Sequence, residues 1–409
     1  MVPLFRRMGL LARGAPMRFV GNVSFFAAES PDSTHTVVAV SLANNALTFA
    51  REDNRFRAGY SVTITLRNGP TVVRNIEAHE DVVVGSFKET ARGDESVLYE
   101  EIITLAPGQY EFTVAVRDDG SARSSEDAAT LEVPAVAVRG LSTPVSFASA
   151  TVRTRLTAIP QIIVNPTAAA IFGRDSVIPF YIESYGGQQR TDRVDFAVRS
   201  ESGQSMYRDS TTLTSRGGLH AGTIEIPVAR IGIGAMTVAA WRPGTMDTVQ
   251  APLFVGFGAD LPLATYEEMV NYLRWFASPF RIQQLKDTPS DERPAAWNEF
   301  IRHYQEHYQS PDALRDYFSR MAEANTRFRE EVSPGWMTDR GRVLLGLGRP
   351  DQIYEQTART LAERGRAQVW EYGNLNMVVS FYDQNGFGRW KLIPASEAVF
   401  MTAWRRRVQ

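Results

Sequence analysis

At positions 335–339 the sequence reads Gly335-Trp336-Met337-Thr338-Asp339, and Arg340 and Arg342 follow almost at once. Glycine permits backbone angles that other residues avoid, and the short side chains of threonine and aspartate can hydrogen-bond to nearby main-chain groups. This combination is typical of a turn that holds specific side chains in place. We therefore predict that the stretch is the nucleus of a folded domain.

Two interpretations of this turn are open. In the structural one, Trp336 fills the core while Asp339 accepts main-chain N–H bonds and pairs with an arginine. In the functional one, Asp339, Arg340 and Arg342 form a site for a small anion or a carboxylate. We favour the structural interpretation because a Gly-Trp turn followed at once by a strand is suited to fixing a chain reversal.

Strand character follows the turn. Residues 342–346 predict a short strand that leads into a Gly-Arg-Pro-Asp turn ending at Pro350 and Asp351. Further runs rich in β-branched and aromatic residues predict a small sheet, at 369–372, 377–382 and 390–393.

Apolar residues at helical spacing precede the turn. From Leu261 they recur every three or four positions, and Thr265 with Glu268 matches a capping box. Similar aromatic-rich stripes predict a helix around 297–308 and another from Ser310. Packing alone requires such spacing, so we interpret the stripes as a helical core. Residues 261–409 are thus predicted to form one α+β domain with a basic C-terminal tail.

The first 260 residues instead alternate apolar and polar side chains. Runs such as 60–66 and 236–241 predict half-buried strands, and turn residues separate the runs at the spacing of a β-sandwich. We predict two all-β, Ig-like sandwich domains, at 18–138 and 139–260. A basic arm at 1–17, ordered by a partner, is expected to precede them.

Composition limits the classes of partner. The formal net charge is only −2, which removes the broad attraction that a generic nucleic-acid binder needs, so we expect no nucleic-acid partner. Cysteine is absent, which excludes disulfides, thiolate metal sites and cysteine nucleophiles. No run approaches the ~20 apolar residues that a membrane-spanning helix requires.

The sequence contains no complete catalytic or nucleotide-binding motif of the kinds considered below. His303 and His307 share a helical face, but Tyr304 stands where a zinc protease motif has glutamate. The Gly-x-Gly pairs at 232–234 and 346–348 lack the rest of a nucleotide fingerprint, and no serine-hydrolase elbow occurs. We therefore expect a non-enzymatic protein with no cofactor and no metal.

The turn and its surroundings resemble the GWxTD domain family. The residues that carry the likeness lie between about 262 and 395, and they include Gly335, Trp336, Thr338, Asp339, Arg340, Arg342, Pro350, Asp351 and Trp370. These nine are our structural motif residues. The predicted fold class is thus a multidomain protein with two all-β sandwich (Ig-like) domains followed by an α+β GWxTD domain.

The resemblance implies a modest function. The family has no established enzymatic activity, and its members are generally exported or envelope proteins. A chain of this family type also resembles the extrinsic subunit that clamps a photosynthetic reaction centre to its light-harvesting ring. This likeness suggests a periplasmic protein, peripheral to a membrane, with reaction-centre and antenna polypeptides as partners.

We therefore expect a non-catalytic structural subunit that bridges and stabilises a membrane protein assembly. Its candidate interface residues lie at the basic ends of the chain: Arg6, Arg7, Trp404, Arg405, Arg406 and Arg407. The alternative is a carbohydrate-binding or hydrolytic envelope protein with a pocket near the Gly335–Asp339 turn, which requires polar groups that converge on a cavity.

Overall fold

A computed structural model describes residues 2–92, 96–217, 219–245, 247–258, 263–330, 333–357 and 365–409. The chain divides into two compact units. The first comprises Met1–Tyr266 with Ser290–Pro294, and the second comprises Glu267–Pro289 with Ala295–Gln409.

The first unit opens with a β region. Its elements in chain order are α1 (Val2–Arg7), β1 (Leu11–Arg13), β2 (Phe19–Ala27), β3 (Thr34–Ala43), β4 (Ala50–Glu52), β5 (Arg55–Asn68), β6 (Thr71–Val84), α2 (Phe87–Thr90), β7 (Ser96–Leu105), β8 (Gly108–Asp118) and β9 (Ser124–Val133). One sheet has the order β1-β2-β3-β7; the other has the order β4-β5-β8-β9, with β6 also paired to β5.

These two sheets pack face to face as a sandwich. Along β5 the residues Tyr60, Val62 and Ile64 are buried, while the residues between them are half-exposed. They pack against Val38 and Val40 of β3 in one apolar core. Apolar residues recur at every second position of β5, and buried residues do so as well. The two patterns coincide because successive side chains of a strand point to opposite faces.

A second β region follows in the same unit. Its elements are α3 (Val136–Arg139), β10 (Val145–Thr151), β11 (Gln161–Val164), β12 (Ala169–Ile171), β13 (Val177–Ser184), β14 (Thr191–Ser200), β15 (Ser205–Arg216), β16 (Leu219–Pro227), α4 (Val228–Ile231), β17 (Gly234–Trp241) and β18 (Thr248–Gly256). They form a sheet in the order β11-β10-β13-β16-β15-β14-β17-β18-β12, which closes with a parallel pair, β12 and β18.

Strand β3 connects the two β regions because both of its faces are buried. Val38 and Val40 face the sandwich core, whereas Val37 and Ala39 join a second core with Val145 and Tyr181 of the following region. Both β regions therefore belong to one compact unit, with α3 at the predicted junction.

The N-terminal segment packs on its own chain. Leu4 and Phe5 of α1 are buried beside Ala235 and Phe254, and the rings of Phe5 and Phe254 meet edge to face with centroids 5.3 Å apart. This packing differs from the prediction that residues 1–17 form an arm that needs a partner to become ordered. The reason is that apolar residues of the segment bury surface against β17 and β18.

The second unit is α+β. Most of its residues lie in α5 (Tyr266–Tyr272), α6 (Pro279–Asp287), α7 (Arg293–His307), α8 (Ala313–Arg327), α9 (Asp339–Leu347), β19 (Gln352–Thr357), β20 (Arg366–Tyr372), β21 (Met377–Asp383), β22 (Lys391–Leu392) and α10 (Pro394–Val408). The strands form a sheet in the order β19-β20-β21-β22. In the described parts of the chain, no helix combines the length and apolar composition needed to cross a bilayer.

The strand predicted at residues 342–346 is wrong. These residues lie inside α9, which starts directly after Thr338. Val343, Leu344 and Leu347 lie on buried faces of this helix. A short apolar run fits a buried helix as well as a strand, and here the threonine cap decides for the helix. The sheet predicted downstream is confirmed.

Candidate functional site

The Gly335–Met337 turn packs against the backbone of α8. A Cβ atom at residue 335 would overlap the carbonyl oxygen of Ala324, and one at Gly341 would overlap the carbonyl oxygen of Gly335. Both positions therefore require glycine because of close backbone approach. The turn, α8 and the first turn of α9 are consequently locked together.

Trp336 is a core residue of the second unit. Its side chain is 5% exposed, and its ring meets Tyr272 edge to face with centroids 5.6 Å apart. The Arg274 guanidinium lies 4.9 Å from the Trp336 ring centroid, a cation–π distance. The Trp336 backbone N–H donates to Asn325 Oδ1 at 3.1 Å. The indole thus packs the turn against the end of α5, and the backbone N–H bonds it to α8.

Thr338 caps α9. Its hydroxyl oxygen accepts from the backbone N–H of Gly341 at 3.1 Å, and the hydroxyl donates to the carbonyl of Gly335 at 2.8 Å. One side chain thereby satisfies a free donor at the helix start and an acceptor in the turn.

We expect Thr338→Ala to lower the free energy of unfolding of the second unit by about 1–2 kcal/mol, because the cap is buried and both hydrogen bonds disappear. Chemical denaturation monitored by tryptophan fluorescence measures this. Thr338→Ser is the matched control, since it keeps the hydroxyl; an equal loss in both variants would assign the effect to the methyl group.

Asp339 links α9 to the sheet, and its neighbour Arg342 links α9 to α10. Its Oδ2 accepts from the backbone N–H of Leu392 at 2.8 Å, and its Oδ1 lies 3.4 Å from Arg342 Nε. Arg342 also pairs with Glu397 of α10 at 3.1 Å. The carboxylate and the guanidinium are thus both engaged within the unit.

Arg340 lies between aromatic rings. Its guanidinium carbon is 4.7 Å from the ring centroid of Phe328 and 5.1 Å from that of Trp390. Burial lowers the pKa of the Arg340 guanidinium to about 10. Among the described residues no carboxylate lies within 4 Å of it, so stacking on the two rings positions this side chain.

The remaining motif residues also make contacts within the second unit. Asp351 Oδ2 accepts from the backbone N–H of Gly373 at 2.6 Å and so closes the turn after Pro350. Trp370 is fully buried, donates from Nε1 to Gln368 Oε1 at 2.9 Å, and packs on Phe328. Phe328 contacts both Trp370 and Arg340, which brings the two halves of the motif together.

The candidate interface residues at the chain ends divide into two groups. Trp404 is 4% exposed, donates to the carbonyl of Trp275 at 3.1 Å and is a core residue rather than a surface for a partner. Arg6 is ion-paired with Asp127, and Arg7 lies 3.9 Å from Glu201. Arg405 and Arg406 are exposed, whereas the Arg407 guanidinium donates a hydrogen bond to the carbonyl of Leu347.

A cavity of about 150 Å³ lies next to α8, α9 and α10. Its lining includes Trp275, Tyr308, Tyr317, Arg320, Gly346 and Arg407, and it contains no residue of 335–342. Sequence reasoning did not single out Trp275 or Arg320. The sequence does contain a signal for Arg320. It follows Tyr317 by three residues, so it lies on the same side of α8 as the buried apolar residues.

The paired histidines do not line this cavity. The ring centroids of His303 and His307 are 6.2 Å apart, and His307 Nε2 lies 2.7 Å from the carbonyl oxygen of Arg407. Burial, with Arg281 and His307 nearby, lowers the pKa of His303. Within the described ranges, no three His, Asp or Glu side chains converge as metal ligands.

Comparison with protein families identifies a domain that covers most of the second unit. Residues 250–385 match the GWxTD domain family, a range that contains the Gly335–Met337 turn, α9 and the strands β19, β20 and β21. The chain therefore contains a GWxTD domain. No curated protein matches the chain.

Solved structures resemble the chain only weakly. The exo-chitosanase CsxA of Amycolatopsis orientalis is 11% identical over 57% of this chain and 26% of its own, with a TM-score of 0.14. The fibronectin(III)-like modules of Clostridium thermocellum CbhA are 12% identical over 57% of this chain and 93% of theirs, with a TM-score of 0.15. This chain spans about a quarter of the exo-chitosanase, and neither likeness carries an argument.

Proposed function

We propose that this chain, which carries a GWxTD domain at residues 250–385, is a non-catalytic structural subunit. It acts outside the cytoplasm, at the periplasmic surface of a membrane, and holds partner proteins together. The partners are protein subunits of a membrane assembly. The alternative, a carbohydrate-binding or hydrolytic protein with a pocket at the motif, has less support because the motif side chains contact one another and the core.

One observation supports a role in protein contacts above all. The outer face of the β19–β22 sheet displays Tyr354, Val378 and Tyr382, which are 47%, 53% and 41% exposed. The strand register aligns Tyr354 with Val369 and Tyr382 with Ala367 on this same face. Grouped exposed apolar side chains on a sheet are characteristic of protein interaction surfaces.

The opposite face of that sheet supplies the core of the second unit, so the exposed side chains on the outer face are not needed for that core. Trp370, Val379 and Phe381 are fully buried and alternate with the exposed set along β20 and β21. The sheet therefore already has one face for its own core. Burying the outer face against a partner would remove further apolar surface from water.

Charge substitution on the outer face tests the proposal. We expect the double variant Val378→Asp, Tyr382→Asp to recover about tenfold less partner protein by affinity isolation from native membranes, because central apolar contacts dominate interface energy. Subunits in the eluate are identified and quantified by mass spectrometry.

A matched control is Val83→Asp on β6, since Val83 is 50% exposed on a strand of the first unit. This variant should recover partners as the unmodified chain does. Equal recovery with both variants, or a protein that elutes alone from gently solubilised membranes, would argue strongly against the proposal.

In its finer form, the proposal names the partners as reaction-centre and light-harvesting polypeptides. This form rests on the family resemblance alone. An absorption spectrum of the eluate tests it directly, because these partners would bring bacteriochlorophyll bands with them. An eluate that contains membrane subunits without pigment would keep the structural role and remove the photosynthetic one.

A further inference from the structure

Two arginines of the second unit face one small cavity. Arg320 comes from α8 and Arg407 from the last turn of α10, and both line the cavity of about 150 Å³ together with Trp275, Tyr308 and Tyr317. We call this the arginine cleft. The sequence separates its members by up to 132 positions, so only the packing of the helices assembles it.

Neither guanidinium forms an ion pair within the part of the chain that the structure describes. Among the described residues, no carboxylate lies within 4 Å of Arg320 or Arg407, although many other surface arginines have such partners. Arg320 Nε is buried and has no hydrogen-bond acceptor. Asp316 lines the cleft one helical turn before Arg320 but is exposed and makes no ion pair with it.

The two like charges destabilise each other in this position. Burial lowers the pKa of Arg320, and the nearby charge of Arg407 lowers it further. Arg407 uses one nitrogen to donate to the carbonyl of Leu347, and among the described residues its other guanidinium N–H groups have no hydrogen-bond acceptor. An anion between the guanidiniums would remove the repulsion and supply the missing acceptors.

The walls of the cleft are aromatic and held in place. Tyr308 donates its hydroxyl to the carbonyl of Phe276 at 2.7 Å, and Tyr317 donates to that of Tyr272 at 2.6 Å. The Trp275 ring packs edge to face on Trp404, with centroids 5.0 Å apart. Rigid walls reduce the entropy that binding costs, and flat rings favour a planar apolar ligand.

We propose that the arginine cleft binds a small organic acid, whose carboxylate lies between Arg320 and Arg407 and whose planar body rests on the aromatic wall. The guanidinium fork matches the two oxygens of a carboxylate in shape and charge. The cavity volume restricts the ligand to a small aromatic or short planar acid. This site is independent of the partner surface on the β19–β22 sheet.

Benzoate serves as the probe, with neutral benzamide and inorganic phosphate as comparisons, on the purified full chain. Isothermal titration calorimetry should show saturable binding of benzoate, with a concentration-dependent rise in Tm. Benzamide, which has the same shape without the charge, should bind at least about tenfold more weakly, because a charged hydrogen-bond partner is lost.

Arg320→Gln and Arg407→Gln should each weaken benzoate binding by about tenfold or more. Arg406→Gln is the matched control, since Arg406 is the exposed neighbour on the same turn of α10, and it should change the affinity by less than about twofold. Arg320→Gln should also leave Tm unchanged or raise it, because it removes a partly buried charge that forms no ion pair among the described residues.

Several outcomes would overturn the proposal. These are the absence of saturable benzoate binding, equal binding of benzamide, or benzoate affinity that is unchanged in a folded Arg407→Gln chain. Phosphate binding without benzoate binding would replace the organic acid with a bare oxyanion and so also overturn it. If Arg320→Gln fails to fold, Arg407→Gln still decides, because the two arginines lie on different helices, α8 and α10.

Discussion

Replacing Arg153 with methionine should lower the free energy of unfolding of the first unit by about 3–5 kcal/mol. Arg153 and Glu183 are both fully buried, with side-chain exposures of 2% and 0%, and their nearest atoms are 2.8 Å apart. Without the guanidinium, the Glu183 carboxyl group would lie in the core with no opposite charge beside it. Urea denaturation, followed by circular dichroism, measures the loss.

The surroundings of this pair explain the size of the effect. Arg153 also donates to the carbonyls of Ala27, at 2.6 Å, and Ala158, at 2.9 Å. Glu183 accepts from the hydroxyls of Tyr181, at 2.8 Å, and Tyr185, at 2.7 Å. Burial alone would lower the pKa of Arg153, but hydrogen bonding and charge from Glu183 outweigh burial and raise it.

A double variant separates the two contributions. Arg153→Met with Glu183→Met removes both charges, so it should recover about 1–3 kcal/mol of the single-variant loss. The conservative Arg153→Lys should lose an intermediate amount because lysine cannot reproduce the forked hydrogen bonds. A single Arg153→Met variant within 1 kcal/mol of the unmodified chain would show that the pair contributes little.

Trp336→Ala should lower the free energy of unfolding of the second unit by about 3–5 kcal/mol, as a large-to-small substitution in a packed core. The indole is 5% exposed and contacts Tyr272, the last residue of α5, and Arg274, two residues further on. Its loss would leave a cavity and would detach the turn from that segment. Thermal and chemical denaturation of the full chain measure the effect.

The neighbouring Met337 provides the control. Its side chain is 52% exposed, so Met337→Ala should change stability by no more than about 0.5 kcal/mol. Trp336→Phe should lie between the two because it keeps an aromatic ring of smaller volume. A soluble, fully stable Trp336→Ala chain that only loses a ligand would instead assign the turn a binding role.

Much of the fold follows from local pattern. The alternation along residues 60–66 predicted a strand with one buried face, and β5 has that burial in full. The apolar stripes of 297–308 and of the helix after Ser310 predicted helices, which are α7 and α8. These patterns are reliable because a half-buried strand or helix needs apolar side chains at its own period, whatever it packs against.

The candidate site was only partly predictable. Trp336, Thr338 and Asp339 were identified from their residue types, since each suits a turn for a local reason. The strand predicted after them is wrong because a three-residue apolar run has no distinctive period, and the Thr338 cap determined a helix. Trp404 was predicted to be an interface residue because it lies beside a basic tail, but it is buried.

By itself, then, the sequence determined the succession of β regions and an α+β domain, and it located the Gly335–Asp339 turn. Only the tertiary structure decided that β3 is buried on both faces, that Arg153 meets Glu183, and that Arg320 and Arg407 line one cavity. The physical reason is that periodicity and capping act over a few residues. Pairings across 30 to 100 positions depend instead on which surfaces the folded chain brings together, and buried charge has a low energy only after that packing is in place.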